Sequence, residues 1–592
     1  MTILDVLPYR EVWAWDFEFL ALDGERPEPV CMVARELRSG RLLRFWQDEL
    51  PAEPPFRTDA EALFVSYVAS AEVGCHLALN WPAPARILDL AAEFKVATNG
   101  WSLPCGPGLL GALQAYGLDA MAAEEKNAWR RIVMRGGPWS DAERQGVLDY
   151  CQADVDALVE LLPKMLPSIL GRQREPRIAL GQALLRGRYM IAAARIERVG
   201  IPIDTDMLAR FQAGWGNIKM RLIEEIDQRY GVYEGSSFRA ARFADYLASM
   251  GIPWIHLPSG ALALDRDTFK DMARAYPVLQ PLRELRASLS EMRLSSLAVG
   301  KDGRNRTVLW PFGAKSGRNT PKASQFIFGP ATWLRGLIKP GRGRAVAYVD
   351  FSAQEVGIAA ALSGDEALLE AYRSGDVYLA FAKQAGLAPI DATKATHGNI
   401  RDRCKSVVLG TLFGMGPETL AKRINRPPCE ARELLTLHHR TYPRFWHWSE
   451  AAVTSFELTR KIATVFGWPL HAEPDWNPRT VMNFPMQAHG SEMLRLACCL
   501  ATERGLAVCA PVHDAVLIEG PAAEIDRHVA ELQACMREAS RVVLGGVLEL
   551  GSDAVVVRAP SRYSDKRGTV MWDTVVRLLD EAEAMDDVKV GA

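Results

Sequence analysis

Ala345-Val346-Ala347-Tyr348-Val349-Asp350 is an apolar run that ends on a carboxylate and continues directly into Phe351-Ser352-Ala353-Gln354-Glu355. Its β-branched and aromatic residues predict a strand over Arg344–Asp350, with a helix beginning after it. A strand that ends on an acid can hold a metal ion on rigid backbone. The same pattern also arises where an aspartate caps the next helix, so the run alone leaves both interpretations open.

A second acid lies in Pro511-Val512-His513-Asp514-Ala515-Val516, between the apolar runs Leu506–Ala510 and Val516–Ile518. The pattern predicts a tight hairpin with His513 and Asp514 at its tip. Two acids from separate strands can bind two divalent ions about 3.5–4 Å apart, a pair that activates a 3′-hydroxyl and stabilises a leaving pyrophosphate. Such phosphoryl transfer depends on positioning and on charge neutralisation.

The segment Arg401–Met415, RDRCKSVVLGTLFGM, is predicted to be a helix that carries Arg401, Lys405 and Leu409 on one face. Two cations one turn apart suit the triphosphate of an incoming nucleotide. Gly410 and Gly414 would each cost a helix interior about 1 kcal/mol relative to alanine, which indicates close approach by something flat, such as a base. A surface helix with scattered basic residues is the alternative interpretation.

Three strings taken together, DFSAQE from Asp350, RDRCKSVVLGTLFGM from Arg401 and VHDA from Val512, resemble the sequence motifs of the family A (polymerase I-like) DNA polymerases. Flanking pieces agree with this resemblance: Ser316–Arg318, Gly375–Tyr378 and Arg479–Gln487. The resemblance spans roughly residues 310–560 and includes all three motifs in their order.

The resemblance implies a role for each matching position. Asp350 and Asp514 would be metal ligands, Arg401 and Lys405 would hold the triphosphate, and Lys405 would also be a candidate proton donor to pyrophosphate. The nucleotide site would include Tyr378, Leu409, Phe413 next to the nascent pair, and Glu355, which would exclude a ribose 2′-hydroxyl. The DNA contacts would be Arg318, His513 at the primer end, Arg479, Asn483 and Gln487.

Four positions depart from the family's pattern. Ala515 stands where the family usually has glutamate, and Gly357 replaces a usual arginine. Leu409 stands where phenylalanine or tyrosine normally lies against the nucleotide sugar, and Phe413 replaces a usual tyrosine. These differences concern selectivity for sugar and base more than activity.

The N-terminal region has a second acidic pattern. Asp16 and Glu18 lie two residues apart in Trp15-Asp16-Phe17-Glu18-Phe19, hence on one face of a predicted strand over Val12–Phe19. Tyr150 and Asp154 lie one turn apart in a predicted helix. Together they resemble the first and third motifs of the DnaQ-like proofreading exonucleases, in which the acids bind two metal ions and the tyrosine orients the attacking water.

The second motif of that family has no obvious match. In polymerase I-like relatives, another Asp follows the second-motif Asp by seventeen residues. Ile87-Leu88-Asp89-Leu90 resembles the later of these two sites, and counting back seventeen residues from Asp89 leads to Glu72. Glu72 is therefore predicted to be the fourth metal ligand, with Asp89 as the alternative. A solvent-facing Glu72 on a helix that begins at Glu61, and an exonuclease that has lost activity, are the competing interpretations.

Composition restricts the class of protein. With 592 residues, 48% of them hydrophobic, several domains are expected, and the net charge of −2 argues weakly against a nucleic-acid coat protein. No apolar run reaches the roughly 20 residues of a membrane span. No secretory signal is evident, and the ten scattered cysteines fit a reduced cytoplasm, the host's if the source is a phage.

The residues from 301 to 344 form a basic block that Asp302 alone opposes. Its interleaved aromatic residues predict a surface that follows a phosphate backbone. The block comprises Lys301, Arg304, Arg306, Lys315, Arg318, Lys322, Arg335, Lys339, Arg342 and Arg344, with Trp310, Phe312, Phe326 and Phe328 between them.

The resemblances together imply an α/β and α+β multidomain chain, an RNase H-like exonuclease domain followed by a right-hand polymerase domain. The expected ranges are 1–165 for the 3′–5′ exonuclease, 166–305 for connection and thumb, 306–375 and 476–560 for the palm, 376–475 for the fingers and 561–592 for a C-terminal segment. An interdomain connection is expected near Gly171–Arg188, and helices over Met207–Arg229 and Leu282–Ser295. The hairpin at Leu506–Glu519 is expected to close the folded part, with Asp580–Ala592 frayed.

The expected activity is template-directed addition of dNMPs to a primer 3′-OH with 3′–5′ proofreading. The cofactor would be Mg²⁺, two ions per active site, with Mn²⁺ as a substitute, and the partners primer–template DNA and dNTPs. A monomer without membrane contact is expected, as is a short, phage-type form without a 5′-nuclease domain. A single-subunit RNA polymerase relative and an inactive DNA-binding scaffold are the alternatives.

Overall fold

The computed structural model describes residues 6–119, 123–171, 176–291, 296–329 and 331–590. Contacts divide the chain into two units. The first unit comprises Met1–Gly200, Val308–Thr320 and Val346–Val556, and the second comprises Ile201–Thr307, Pro321–Ala345 and Val557–Ala592. The finer domain ranges stated above stay predictions.

The strands, in chain order, are β1 Glu11–Leu20, β2 Glu28–Glu36, β3 Leu42–Trp46, β4 Ala62–Ser66, β5 Ile87–Asp89, β6 Ile201–Pro202, β7 Tyr233–Glu234, β8 Ser237–Phe238, β9 Arg304–Asn305, β10 Arg344–Phe351, β11 Lys461–Ala463, β12 Pro469–His471, β13 Ala507–Val512, β14 Ala515–Pro521 and β15 Ser552–Arg558.

The helices are α1 Ser70–Ala78, α2 Leu90–Thr98, α3 Leu109–Ala115, α4 Ala123–Arg135, α5 Asp141–Leu170, α6 Pro176–Val199, α7 Thr205–Asp227, α8 Ala240–Ser249, α9 Arg266–Ala275, α10 Gln280–Glu291, α11 Gln354–Ser363, α12 Glu366–Arg373, α13 Val377–Gln384, α14 Lys394–Leu412, α15 Pro417–Ile424, α16 Pro428–Thr441, α17 Pro443–Thr459, α18 Pro478–Glu503, α19 Ile525–Val543 and α20 Thr569–Val590. None of the helices in the described ranges is long and apolar enough to cross a lipid bilayer.

The N-terminal sheet of the first unit has the strand order β3-β2-β1-β4-β5. β1 lies at its centre, antiparallel to β2 and parallel to β4. Trp13 and Trp15 of β1 are buried. β1 is therefore a central strand, and its acids do not lie on a sheet edge.

Helix α5 covers this sheet with an apolar stripe that includes Val147, Cys151 and Val155, spaced by four residues and buried in the N-terminal core. The helix begins at a capping box in which Ser140 and Glu143 satisfy each other's backbone N–H groups. The stripe fixes which face of α5 meets β1, and so where Tyr150 and Asp154 lie.

The second sheet of the first unit has the order β13-β14-β10-β15. β10 is a central strand between β14 and β15, and β13 and β14 form the expected hairpin, with Val512 paired to Ala515 across the turn. His513 and Asp514 are the two turn residues, and His513 adopts φ +58°. The ends of β10 and of this hairpin position the acids of the second site.

From Pro176 onward, the segment Gly171–Arg188, where a connection between domains is expected, forms the first half of helix α6. Two other expectations about the chain's organisation are wrong. The chain continues beyond the hairpin with α19, β15 and α20. The acidic segment from Asp580 belongs to α20, which extends to Val590 and buries Leu578, Leu579 and Ala582. The acids had obscured this apolar stripe at helical spacing. Residues 292–295 of the helix expected at Leu282–Ser295 lie outside the described ranges.

Two candidate active sites

The first site gathers carboxylates from β1 and α5. Ligand oxygens of Asp16, Glu18 and Asp154 all lie within 4.8 Å of one another, so the three groups could hold a metal ion. Tyr150 lies one helical turn before Asp154 on the same side of α5. The structure thus brings together the residues of both sequence patterns, 132–138 residues apart in the chain.

The electrostatics of this site favour a bound cation or proton. Burial first, and the neighbouring Asp154 second, raise the pKa of Asp16 to about 7. Burial and the charge of Asp16 hold the pKa of Glu18 well above its usual range, and burial raises the pKa of Asp154. Carboxylates held close together in low dielectric cannot all ionise without an added positive charge.

Glu72 lies beside Asp16 and Asp89 does not. Glu72 is on α1, only 3% exposed, and burial, followed by the charge of the neighbouring Asp16, raises the pKa of Glu72 well above its usual range. Its Oε2 is buried without a hydrogen-bond partner among the described residues. The idea of a solvent-facing Glu72 on a helix from Glu61 is wrong, because 62–66 form strand β4.

Asp89 instead caps helix α2. Its Oδ1 accepts a hydrogen bond from the Ala92 N–H at 2.6 Å, and its Oδ2 accepts one from the Ala69 N–H at 2.5 Å. Both carboxylate oxygens are thereby engaged by backbone donors. This structural role accounts for a buried acid at this position without a metal ion.

Lys126 is a residue of this site that the sequence did not indicate. Its Nζ lies 2.7 Å from Oδ1 and 2.5 Å from Oδ2 of Asp154. It stands in the polar string AEEKNAWRR of α4, where a lysine usually lies in solvent, so no pattern distinguishes it.

The second site is formed by the ends of β10 and of the β13–β14 hairpin. Phe351 N–H donates to the Asp514 carbonyl at 3.2 Å, which joins the two ends. The charge of Asp514 acts on Asp350, and burial, followed by that charge, raises the pKa of Asp350 to about 7. Asp350 Oδ1 is buried with no partner among the described residues.

A third acid, Asp553 on β15, acts on Asp350 and was not anticipated from the sequence. It accepts a hydrogen bond from Ser352 Oγ at 2.8 Å, and Ser352 N–H donates to the Gly551 carbonyl at 2.9 Å. Tyr372 OH donates to the Ser352 carbonyl at 2.8 Å. The turn after Asp350 is therefore held from β15 and α12, a contact that only the folded sheet creates.

Gly357 is explained by this same packing. A Cβ at position 357 would lie 2.5 Å from Leu550 Cδ2 and 2.9 Å from Tyr372 Cε2. An arginine cannot be accommodated without moving both side chains. Leu550 and Tyr372 thus occupy the space that the arginine usual in the family would need at position 357.

Arg318 and Glu355 lie next to each other. An Arg318 guanidinium nitrogen is 3.9 Å from Glu355 Oε1. Burial raises the pKa of Glu355, and the charge of Arg318 opposes that shift. The side chains expected to contact primer and nucleotide sugar therefore form one pair.

Helix α14 directs its cations to the ring of Tyr378. The charged ends of Arg401 and Lys405 lie 5.3 Å and 5.5 Å from the ring centroid. Arg401 Nε also donates to Asp376 at 2.6 Å, and Asp376 caps α13 by accepting from the Leu379 N–H at 3.2 Å. Asp376 is a further residue of the site, and its acid holds Arg401 in place.

The interpretation of the two glycines is wrong. Gly414 lies beyond the end of α14 at φ +62°, a left-handed conformation that favours glycine. A Cβ at Gly410 would lie 3.3 Å from Met415 Sδ, so that glycine admits the chain that follows and not a base. Phe413 caps the C-terminus of α14, and Leu409 is half-buried.

The expected DNA-contacting residues of α18 share one accessible stripe. Arg479, Asn483 and Gln487 are spaced by four residues; Arg479 is exposed and the other two are half-buried. Phe484 and Met486, which lie between Asn483 and Gln487 in the chain, are buried. The three polar side chains are therefore accessible from one side of α18.

Three cations of the basic block have acidic partners within the second unit. In the second unit Arg306 pairs with Asp302, Arg335 with Asp565 and Lys339 with Asp204, at 2.6, 2.6 and 3.1 Å. Two of the interleaved aromatic residues, Phe312 and Phe328, are buried. The sequence suggested a one-sided block because two of these acids lie more than a hundred residues away.

Comparison with known proteins finds a family model that matches the region of the second site. Residues 330–553 match the model of DNA polymerase family A. The chain is 23% identical over 499 residues to the thermostable DNA polymerase I of Thermus thermophilus, covering 78% of this chain and 56% of that protein. It is 25% identical over 445 residues to the DNA polymerase I of Chloroflexus aurantiacus, covering 67% and 45%. The chain thus spans about half the length of these relatives.

A solved structure shares the fold. The POL domain of Pol1 from M. smegmatis, in complex with DNA primer-template and dNTP, superposes with a TM-score of 0.72 at 17% identity. The match covers 94% of this chain and 96% of that one. The chain therefore has the mixed α/β fold of a polymerase I POL domain.

Proposed function

We propose that this chain, whose residues 330–553 match the model of DNA polymerase family A, extends a primer 3′-OH with dNMPs under the direction of a template. The observation that carries the proposal is the pair of acids at the ends of β10 and of the β13–β14 hairpin. The charge of Asp514 acts on Asp350 although the two acids lie on separate elements, and Asp350 Oδ1 is buried without a hydrogen-bond partner among the described residues.

These acids fit divalent cations such as Mg²⁺ or Mn²⁺. A buried, unpartnered carboxylate oxygen and a pKa raised to about 7 both indicate a place where positive charge is missing. Divalent ions bound there would lower the pKa of the primer hydroxyl and neutralise the leaving pyrophosphate. Asp350 and Asp514 hold that charge in place, while the backbone of two strands fixes their positions.

The remaining residues of the site divide into those for the nucleotide and those for DNA. Arg401 and Lys405 carry the positive charge for a triphosphate, and Tyr378 supports both cations from one side. Lys405 is the exposed one of the two and is the candidate proton donor to pyrophosphate. Glu355 would close the space beside C2′ of the sugar. Arg318, His513, Arg479, Asn483 and Gln487 would contact the primer and the template.

We further propose a 3′–5′ exonuclease at the cluster of Asp16, Glu18, Glu72 and Asp154. The carboxylates would hold divalent ions there, and Tyr150 would orient the water that attacks the terminal phosphodiester. The intact cluster argues against the alternative of an inactive exonuclease, since three ligand groups within 4.8 Å of one another are retained.

One pair of substitutions tests both activities in the same chain. Asp350→Ala should abolish extension of a labelled primer with dNTPs and retain degradation of a 3′-labelled single strand. Asp16→Ala should do the reverse. Primer–template binding should be nearly unchanged in both variants, because each substitution removes a metal ligand and not a DNA contact. Extension by Asp350→Ala at the wild-type rate would contradict the polymerase site, and incorporation of rNTPs in preference to dNTPs would favour an RNA polymerase.

A further inference from the structure

Lys126 places an ammonium group inside the carboxylate cluster of the first site. Its Nζ contacts both oxygens of Asp154, at 2.5 Å and 2.7 Å, and the two side chains are 23% and 16% exposed. The same Nζ lies 5.6 Å from the centroid of the Tyr150 ring. Lys126 therefore contacts both functional residues that α5 contributes.

The groups around this ammonium are acidic. Of the described residues, Lys126 is the cation whose charge acts on Asp16, Glu18 and Asp154. Glu72 adds a fourth carboxyl, since the charge of Asp16 acts on it. Because uncompensated charge in a partly buried site is costly, one fixed ammonium stabilises the cluster while nothing else is bound.

The ammonium and a divalent ion compete for Asp154. Both carboxylate oxygens are in hydrogen-bond contact with Nζ, and a hard cation would bind through the same oxygens at about 2.0–2.6 Å, where the two positive charges repel each other. An ion that binds Asp154 therefore favours the departure of Lys126. The flexible four-carbon stem of lysine allows its head to move while helix α4 stays in place.

We propose, on the basis of the exonuclease function proposed above, that Lys126 is a further residue of the nuclease site. Its ammonium neutralises Asp154 when DNA is absent, competes there with a divalent ion, and moves to a non-bridging oxygen of the terminal phosphodiester when the strand enters. The phosphate is the anion that arrives with the substrate, and a compact point charge suits one of its oxygens. Lys126 supplies charge only and transfers no proton.

This role predicts two effects of opposite sign. Lys126→Met keeps the length of the side chain and removes its charge, so divalent ions should bind more tightly while the maximal nuclease rate falls. If Lys126 had only a structural role, its substitution would weaken both the binding of divalent ions and the nuclease activity. Arg130→Met, an exposed position on the same helix, is the matched control.

The experiment uses the full-length chain carrying Asp350→Asn and Asp514→Asn, which removes ion binding at the polymerase site. Mn²⁺ binding is measured without DNA, by the loss of free Mn²⁺ paramagnetic signal. Single-turnover degradation of a 3′-labelled single strand is then measured over a series of Mn²⁺ concentrations. Lys126→Arg, which keeps the charge, should retain more of the maximal rate than Lys126→Met.

We expect several-fold tighter Mn²⁺ binding for Lys126→Met and a maximal rate lower by roughly tenfold or more, the scale of one lost charge-stabilising donor. If Lys126→Met binds Mn²⁺ no more tightly than Arg130→Met does, the ammonium does not compete with the divalent ion. If the maximal rate of Lys126→Met is unchanged, Lys126 does not contact the phosphate. A parent chain without nuclease activity would remove the proposed exonuclease function itself, whereas the Mn²⁺ comparison without DNA still tests the ammonium. If Lys126→Met does not fold, Lys126→Gln serves for both measurements.

Discussion

Ser352 Oγ donates a hydrogen bond of 2.8 Å to Oδ2 of Asp553, which ties the residue two positions after Asp350 to the neighbouring strand β15. The charge of Asp553 also acts on Asp350 itself. At position 515, next to the other acid, the chain has a fully buried alanine and no second carboxylate. The acidic environment of Asp350 is therefore supplied partly from β15.

Asp553→Ala should lower the rate of primer extension by roughly tenfold, about 1.4 kcal/mol in the barrier, because the turn that carries Asp350 loses a side-chain anchor and a negative charge. Ser352→Ala should cause part of the same loss, and the double variant should lose less than the sum of both, since the two residues share one hydrogen bond. The measurement is single-turnover incorporation of one dNMP. Glu549→Ala, an exposed acid before β15, is the control, and equal rates for Asp553→Ala and Glu549→Ala would contradict the role of Asp553.

Asp350 should also make the metal-free protein less stable as the pH rises. Its pKa is raised to about 7 in the folded chain, mainly by burial and then by Asp514. Between the ordinary aspartate pKa of about 4 and that value, the unfolded chain releases the proton while the folded chain keeps it, so the free energy of unfolding falls through this range.

Asp350→Asn removes this cost, so with EDTA its melting temperature should exceed that of the wild type more at pH 8 than at pH 5. At pH 8 the free energy of unfolding of Asp350→Asn should exceed that of the wild type by about 1 kcal/mol. The gain is limited to this size because the Asp350 side chain is partly solvated. Excess Mg²⁺ should reduce the difference, since it stabilises the ionised wild-type site. A gap that is equal at both pH values would show that Asp350 does not titrate in this range.

Glu355→Ala should increase the efficiency of rNTP incorporation relative to dNTP, because the side chain expected beside C2′ would be gone. Glu355→Gln keeps the volume and should change the ratio less, while it also tests the 3.9 Å pairing with Arg318. The ratio of kcat/KM for matched rNTP and dNTP is the measurement. If the ratio stays at the wild-type value in both variants, sugar selection depends on another residue, with Leu409 the next to substitute.

Arg401→Ala should mainly weaken dNTP binding, and Lys405→Ala should mainly slow the chemical step, where negative charge grows on pyrophosphate. Asp376→Ala is expected to resemble a mild form of Arg401→Ala, because Asp376 holds the Arg401 guanidinium at 2.6 Å. Pre-steady-state titration with dNTP separates the apparent Kd from the maximal rate. Normal values of both for Arg401→Ala and Lys405→Ala would exclude α14 from the nucleotide site.

Much of this architecture follows from local pattern. β1, β10 and the β13–β14 hairpin lie where alternation and turn residues predict them, because a two-residue turn and a buried strand leave strong signals in short windows. The apolar stripe of α20 is hard to recognise in the sequence because the acidic residues of this segment lower its average hydrophobicity.

The partners of the acids could not be found in this way. Asp553 reaches Ser352 from 201 residues away, and Lys126 reaches Asp154 from 28 residues away on a polar helix. The charges of Arg335 and Lys339 look unopposed in sequence because Asp565 and Asp204 are distant in the chain. Sequence spacing indicates which residues share an element, whereas these pairs depend on how elements pack.

The last prediction separates Glu72 from Asp89 by the kind of loss each substitution causes. Glu72 is buried beside Asp16 with one oxygen unpartnered, whereas both oxygens of Asp89 accept backbone hydrogen bonds at the start of α2. Glu72→Gln should therefore lower the rate of 3′-end degradation by roughly tenfold or more, about 1.4 kcal/mol in the barrier, without loss of stability. Asp89→Ala should destabilise the chain by about 1–2 kcal/mol through the lost cap and leave nuclease activity per folded molecule almost unchanged.

Thermal unfolding and single-turnover degradation of a labelled single strand, measured on the same preparations, give the two losses independently. Primer extension should survive both substitutions, because it uses the acids of the other sheet. Since removing a buried carboxylate charge beside Asp16 relieves repulsion, Glu72→Gln should if anything raise the melting temperature in EDTA. The assignment fails if Glu72→Gln degrades DNA normally while Asp89→Asn, folded and stable, does not; Asp89 would then be the fourth ligand, and its two backbone hydrogen bonds would have to open when a metal ion binds.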